Sequence, residues 1–179
     1  MIAVILLLGL GTALWISQDE DEPFLWSREF GQMKADLVLS NVDYKRSEKD
    51  KGLVWDITAD VTRFFEEQET VHFDRPVILI HSDGDVIRIV ADKGRYLMKQ
   101  RDMEVEGHVK VVSPDGYLLQ TRSMRFLQKE QVVKTSDRAL LLGDNGVELQ
   151  GDGFVYYLED RRLVMKKPVA LIPEEEAGV

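Results

Sequence analysis

Apolar and polar side chains alternate along most of the chain after Leu53. The apolar set falls on odd numbers: Trp55, Ile57 and Ala59; Val71 and Phe73; Val77 and Leu79; Ile87, Ile89 and Ala91; Met103 and Val105; Val109 and Val111; Leu119; Val147 and Leu149; Leu163 and Met165. Even positions are mixed, with Arg88, Glu104, Glu106, Lys110 and Gln120 among them. Successive side chains of a strand point to opposite faces, so a period of two predicts strands with one face inward. This is the signature of half-buried antiparallel sheet rather than of parallel strands buried on both faces.

The alternation is organised into a repeat. Ala59-Asp60-Val61-Thr62-Arg63-Phe64 is followed 32 residues on by Ala91-Asp92-Lys93-Gly94-Arg95-Tyr96. At further steps of 30 come Thr121-Arg122-Ser123-Met124-Arg125-Phe126 and Gly151-Asp152-Gly153-Phe154-Val155-Tyr156. Each unit starts on a small residue and has an aromatic sixth. Eighteen residues from each start, Val77, Val109, Ala139 and Val169 open short apolar runs. Asp83-Gly84, Asp115-Gly116 and Asn145-Gly146 then supply the positive φ of tight hairpin turns, and Lys51-Gly52 holds the equivalent place before the first unit. Each unit is therefore a strand, a turn near the aromatic, and a longer strand into the next glycine turn. Four such units predict an all-β fold, an elongated antiparallel jellyroll or folded-over sheet of tandem hairpins. Ahead of them, Met33, Ala35, Leu37 and Leu39 alternate, and Val42 and Tyr44 follow a Ser40-Asn41 turn, which predicts two further strands.

Met1 to Ile16 carries no charged side chain. As a helix it spans about 24 Å, short of the roughly 30 Å hydrocarbon core. Trp15 suits an interfacial anchor, and Gly11-Thr12-Ala13 suits a signal-peptidase site. An uncleaved transmembrane anchor, a cleaved signal peptide and a buried helix are all open readings. The first two deliver the rest of the chain across a membrane. The expected organisation is an anchor over 1–17, an acidic linker over 18–31, a β domain over 32–173 and an acidic tail over 174–179.

The net charge of −9 owes much to two marginal runs, Asp19–Glu22 and Glu174–Glu176. Between them acids and bases nearly balance, so no basic stripe is offered to nucleic acid. With no cysteine there is no disulfide and no thiolate metal site. The histidines His72, His81 and His108 lack metal-ligand spacing and read as surface or strand-edge residues. Asp83-Gly84-Asp85 lacks the other ligands of a calcium loop. Gly151-Asp152-Gly153 is not followed by a dinucleotide-binding helix, and neither a P-loop nor a nucleophile elbow is present. Glu66, Glu67 and Glu69 read as a solvated bend. The chain is not expected to be an enzyme or to need a cofactor.

An open repeat sheet offers an apolar interior and unpaired edges that can template a partner's strand. The candidate inward face for lipid is Trp55, Ile57, Ala59, Val71, Phe73, Val77, Leu79, Ile87, Ile89, Met103, Val105, Val109, Val111, Leu119 and Leu149. The same residues could equally be a filled core. The stretch Leu53-Val54-Trp55-Asp56-Ile57-Thr58-Ala59-Asp60, with Glu106-Gly107-His108-Val109 and Asp115-Gly116-Tyr117-Leu118-Leu119-Gln120-Thr121, resembles the LptC family, anchored periplasmic components of bacterial lipopolysaccharide export. The later elements are shared with LptA-like proteins.

The resemblance implies a periplasmic jellyroll on a single-pass inner-membrane anchor. It implies transfer of lipopolysaccharide from a membrane ABC transporter (LptB/LptF/LptG-like) to a soluble LptA-like bridge protein. It also implies edge-to-edge pairing, with Met33, Ala35, Leu37 and Leu39 toward the transporter and Leu163, Met165, Val169 and Leu171 toward the bridge protein. The alternative is a structural envelope adaptor that pairs through its edges over a filled interior.

Overall fold

The computed structural model describes residues 34–48, 53–82, 84–143, 146–160 and 162–171. The segments expected as anchor, linker and tail lie outside these residues, as does Met33. The expectation of a single-pass inner-membrane protein is corrected: among the described residues no helix is long and apolar enough to cross a membrane, and the described fold is all-β without that element.

The strands are β1 (Leu37–Glu48), β2 (Leu53–Phe65), β3 (Thr70–Asp74), β4 (Val77–Ser82), β5 (Asp85–Val90), β6 (Lys93–Leu97), β7 (Asp102–Val112), β8 (Leu118–Leu127), β9 (Val132–Leu142), β10 (Glu148–Tyr157), β11 (Arg162–Met165) and β12 (Val169–Leu171). Among the described residues they form one 12-stranded antiparallel network. The long strands serve two sets of neighbours. β2 pairs β4 through residues 54–58 and β3 through 61–65. β7 pairs β6 through 102–106 and β5 through 110–112. β10 pairs β12 through 148–150 and β11 through 154–157.

The switch of partners marks a crease. Ladders slip there, between Glu106 and Val109, Thr121 and Arg125, and Asp152 and Phe154. Bulges of this kind bend a strand and raise its twist. The sheet thus folds into two layers. The first holds β3, β6, β11 and the adjoining halves of the long strands; the second holds β4, β5, β12 and the other halves. Trp55 of the second layer meets Phe126 of the first, ring centroids 5.2 Å apart, and one hydrophobic core joins both.

The small residue that opens each unit sits on this crease. Ala59, Thr121 and Gly151 are buried, and Ala139, opposite Thr121 and Gly151 in the ladder, is wholly inaccessible. A Cβ on Gly151 would overlap Met165 Cγ. Past the crease the inward phase advances by three residues, from Ala59 to Thr62, Thr121 to Met124 and Gly151 to Phe154. The aromatic then falls sixth. Its role is visible in the register: Leu37, Phe64, Val71, Tyr96, Met103, Phe126, Val133, Tyr156 and Leu163 form one cross-strand row over the inner face of the first layer. A matching row, Tyr44, Ile57, Ile78, Ile89, Val111, Leu119, Leu141, Leu149 and Ala170, crosses the second.

Four residues break the expected odd-number rule. Val77 and Leu79 register with Thr58 and Asp56 on the outer face, and the inward residues of β4 are Ile78 and Ile80. Val169 and Leu171 register with Gln150 and Glu148, while Ala170 continues the inner row. The cause is the same in the first and fourth units. Arg75-Pro76 and Lys167-Pro168 interrupt the strand at the crease, with φ of 48° at Arg75 and 46° at Lys167. Proline cannot donate to the ladder, so the strand stops and restarts one residue out of phase. In the second and third units the strand runs through.

The crease tolerates no added bulk. Ala139→Leu is expected to destabilise the protein by about 1–3 kcal/mol, the usual cost of overpacking, read as a lower urea midpoint. An unchanged midpoint would show spare room there.

Candidate functional site

The two inner rows close on each other over most of their length, but not at the β1 end. There they leave a cavity of about 300 Å³. Its walls come from Leu37, Leu39, Val42 and Tyr44 of β1 and from Trp55, Ile57 and Phe64 of β2. Val71, Phe73, Tyr96, Met103 and Phe126 line it from the first layer. Leu37, Leu39, Tyr44 and Met98 are 50%, 45%, 44% and 42% exposed, so the mouth lies along β1 and the β6–β7 turn. Three lining residues are polar: Thr62, Arg101 and Gln128.

The expected inward face divides three ways. Trp55, Ile57, Phe73 and Met103 belong to the buried core and also line the cavity, and Val71 lines it while packing against that core. Ala59, Ile89, Val105 and Val109 are buried in the core, with Ile87, Val111 and Leu119 packed against it; Leu149 is half-buried on the second inner row. Val77 and Leu79 face outward, as described above. The sequence reading left out Phe64, Tyr96 and Phe126 because they do not follow the odd-number alternation as a set, although the sixth-position aromatic was the signal that marks them. Val42 and Tyr44 were recognised only as strand residues. Their inward placement depends on Asn41, whose φ of 51° lets β1 follow β2 over the crease.

Both ends of the sheet present strands with one neighbour. Among the described residues β1 pairs only with β2, and β11 and β12 only with β10. Leu37, Leu39, Leu163, Val169 and Leu171 are exposed there; Met165 is half-buried and Ala35 precedes β1.

The outer face of the first layer is charged. Arg63, His72, Arg95, Glu104, Arg125 and Lys134 stand in cross-strand register. Glu104 is 4% exposed and is held by Arg95 at 2.7 Å and Arg125 at 3.3 Å. Burial still raises its pKa, against the pull of the two arginines. His72 is buried rather than at the surface, which corrects the sequence expectation, and Phe65 packs on its ring at 4.7 Å between centroids. Its pKa is lowered to about 4 by burial, then by the charges of Arg95 and Arg63, with Asp74 opposing them. His81 and His108 pair with Asp56 at 3.2 Å and Asp92 at 2.7 Å.

A second pattern of paired polar side chains follows the repeat. Asp60 pairs with Arg75, Asp92 with His108, Arg122 with Asp137 and Asp152 with Lys167, each across the crease. The spacing of fifteen or sixteen residues was readable in the sequence, and the third pair carries its charges reversed. These pairs are mostly exposed, so each adds little stability. Among the described residues no group of three or more His, Asp or Glu could hold a metal.

The solved structure of LptH from Pseudomonas aeruginosa, described as the LptA-homologous periplasmic component of the lipopolysaccharide transport device, has a similar fold. The likeness has a TM-score of 0.54 at 11% identity, over 72% of this chain and 100% of that one. It is a likeness of fold. The sequence itself places the chain further: residues 3–171 match the model of the lipopolysaccharide-assembly, LptC-related family, and the chain belongs to that family. No curated protein matches it. The family is one of non-catalytic transport or adaptor proteins.

His72 gives the fold a pH dependence. In the unfolded chain it gains a proton as the pH falls through 6.5; in the fold it does so only near 4. The unfolded state therefore binds more protons between those values. The contribution of His72 is whole above pH 6.5 and is lost as the pH falls toward 4. His72→Gln is expected to remove up to roughly 3 kcal/mol of that dependence, measured by urea unfolding across this range. An unaltered slope would contradict the assignment.

Proposed function

We propose that the chain is a lipopolysaccharide relay in the periplasm. It takes lipopolysaccharide from an inner-membrane ABC transporter of the LptB/LptF/LptG type and passes it to an LptA-like bridge protein. Acyl chains enter the apolar cavity, and the end strands make the protein contacts. The observation that carries this reading is the cavity itself: a lining almost wholly of aliphatic and aromatic side chains, open along an edge strand. Each methylene moved from water into such a lining contributes roughly 0.8 kcal/mol, and the transfer needs no bond chemistry. Family membership supplies the context.

A specific observation favours the adaptor as a second reading. Much of the expected inward face, including Ile89, Val105 and Val109, packs as a filled core. The relay reading therefore rests on the β1 end alone. Both readings use edge pairing. Among the end-strand residues, Leu171 is the sharper probe because its side chain lies on the outer face, away from the core.

Photo-crosslinking separates the two. With a photoreactive residue at Ile57 or Phe73, lipopolysaccharide is expected to be labelled in cells. At Ile89, in the packed core, labelling is expected to be weak. Labelling confined to outward positions such as Arg88, or absent throughout, would leave the adaptor standing.

The edge contact has its own test. Leu171→Asp is expected to weaken binding to the LptA-like partner about tenfold, or roughly 1.4 kcal/mol, with an unchanged circular dichroism spectrum. Undiminished binding by the folded variant would show that the contact lies elsewhere.

A further inference from the structure

The cavity carries two polar groups that its construction does not require. Thr62 is 7% exposed and lines the cavity, yet among the described residues its Oγ1 has no hydrogen-bond partner. A buried hydroxyl without a partner costs free energy, so one that persists in an apolar wall calls for an explanation. The repeat shows that the fold does not need it. The equivalent positions in the other units are Gly94, Met124 and Phe154. Arg101 is the second group. It is the one cation lining the cavity among the described residues, and it stands exposed at the mouth on the β6–β7 turn. The turn does not need it either. Glu69 and Gln131 occupy the same place in the neighbouring units, with φ of 49° and 54° against 64° at Arg101.

We infer that this end of the cavity is built for a phosphorylated, acylated lipid held in one orientation, with Arg101 on a headgroup phosphate and the Thr62 hydroxyl donating to an acyl-linkage carbonyl. The inference rests on the reading that acyl chains occupy the cavity, and adds which end of the lipid lies where. A guanidinium at the rim meets the anion where water is still at hand. The hydroxyl lies deeper, where the polar atoms an acyl chain carries are its ester or amide oxygens. Phosphate remains outside and hydrocarbon inside, and the headgroup faces the β6–β7 turn rather than the crease.

The test uses the full chain and two probes with identical acyl chains, lipid A and its dephosphorylated form, with binding measured for wild type and for Arg101→Gln, Arg101→Lys and Thr62→Val. Wild type is expected to prefer the phosphorylated probe by about tenfold, the scale of a charge-assisted contact. Arg101→Gln abolishes that preference and Arg101→Lys keeps part of it. Thr62→Val weakens both probes alike, about threefold to tenfold, while the free protein is no less stable, since a hydroxyl without a partner has been removed. The glutamine variant has a precedent in Gln131 at the equivalent turn position, so loss of preference with an unchanged melting profile reports the contact. Preference retained by Arg101→Gln, together with undiminished affinity in Thr62→Val, would overturn the assignment. Displacement of the probe by inorganic phosphate at similar concentration would also overturn it, by showing a site for the free anion. Failure of wild type to bind either probe would instead sink the relay reading beneath it.

Discussion

Two layers of sheet can lie face to face only if the line along which they fold holds nothing bulky. In this chain that line is set by Ala59, Thr121, Ala139 and Gly151, and Gly151 leaves no space even for a Cβ beside Met165. Everything inward follows from their size. Because the backbone bends tightly there, the inward phase shifts by three residues, and an aromatic is carried onto the inner face of the first layer in every unit. The cavity lies at the end where β1 has no further neighbour among the described residues.

How much of this could be read from the sequence depends on what kept the strands in phase. The alternation from Trp55 to Ala59 lies on one side of the crease, and that from Met103 to Val111 stays in phase because the one extra residue of the β7 bulge makes the inward step from Val105 to Val109 four, against three from Thr121 to Met124 on β8. The repeat was legible for the same reason: each unit places a small residue at the crease and an aromatic six places on. The reading failed at Val77, Leu79, Val169 and Leu171, where an Arg-Pro or Lys-Pro corner with positive φ resets the phase. A period of two has no memory across a strand break, and the prolines were the sign of one. His72 was misplaced for a related reason. Its position on the outer face is clear from alternation, but its burial arises from packing that no local pattern encodes.

The candidate site was legible only in part. Alternation identifies inward residues but cannot say which of them meet a partner across the interior. Trp55 and Ile57 are core residues that also line the cavity, whereas Ile89, on the same inner row as Ile57, belongs to the core alone. The difference is distance from the β1 edge, a property of the whole sheet. Thr62 and Arg101 become informative only when the repeat and the structure are combined. The repeat shows that neither residue type is demanded by its place in the fold, and the structure shows that both line the same cavity.

If the interior at the β1 end admits an acyl chain, protons of the chain must come within a few ångströms of the residues that line it. Intermolecular nuclear Overhauser effects between acyl methylene protons of lipid A and the full-length protein measure this contact. Cross-peaks to the Ile57 methyls and the Phe73 ring, with none to the outward-facing Val77, are the predicted result. Cross-peaks only to outward residues such as Val77 and Val169, or to none, would contradict the account and leave the interior a core.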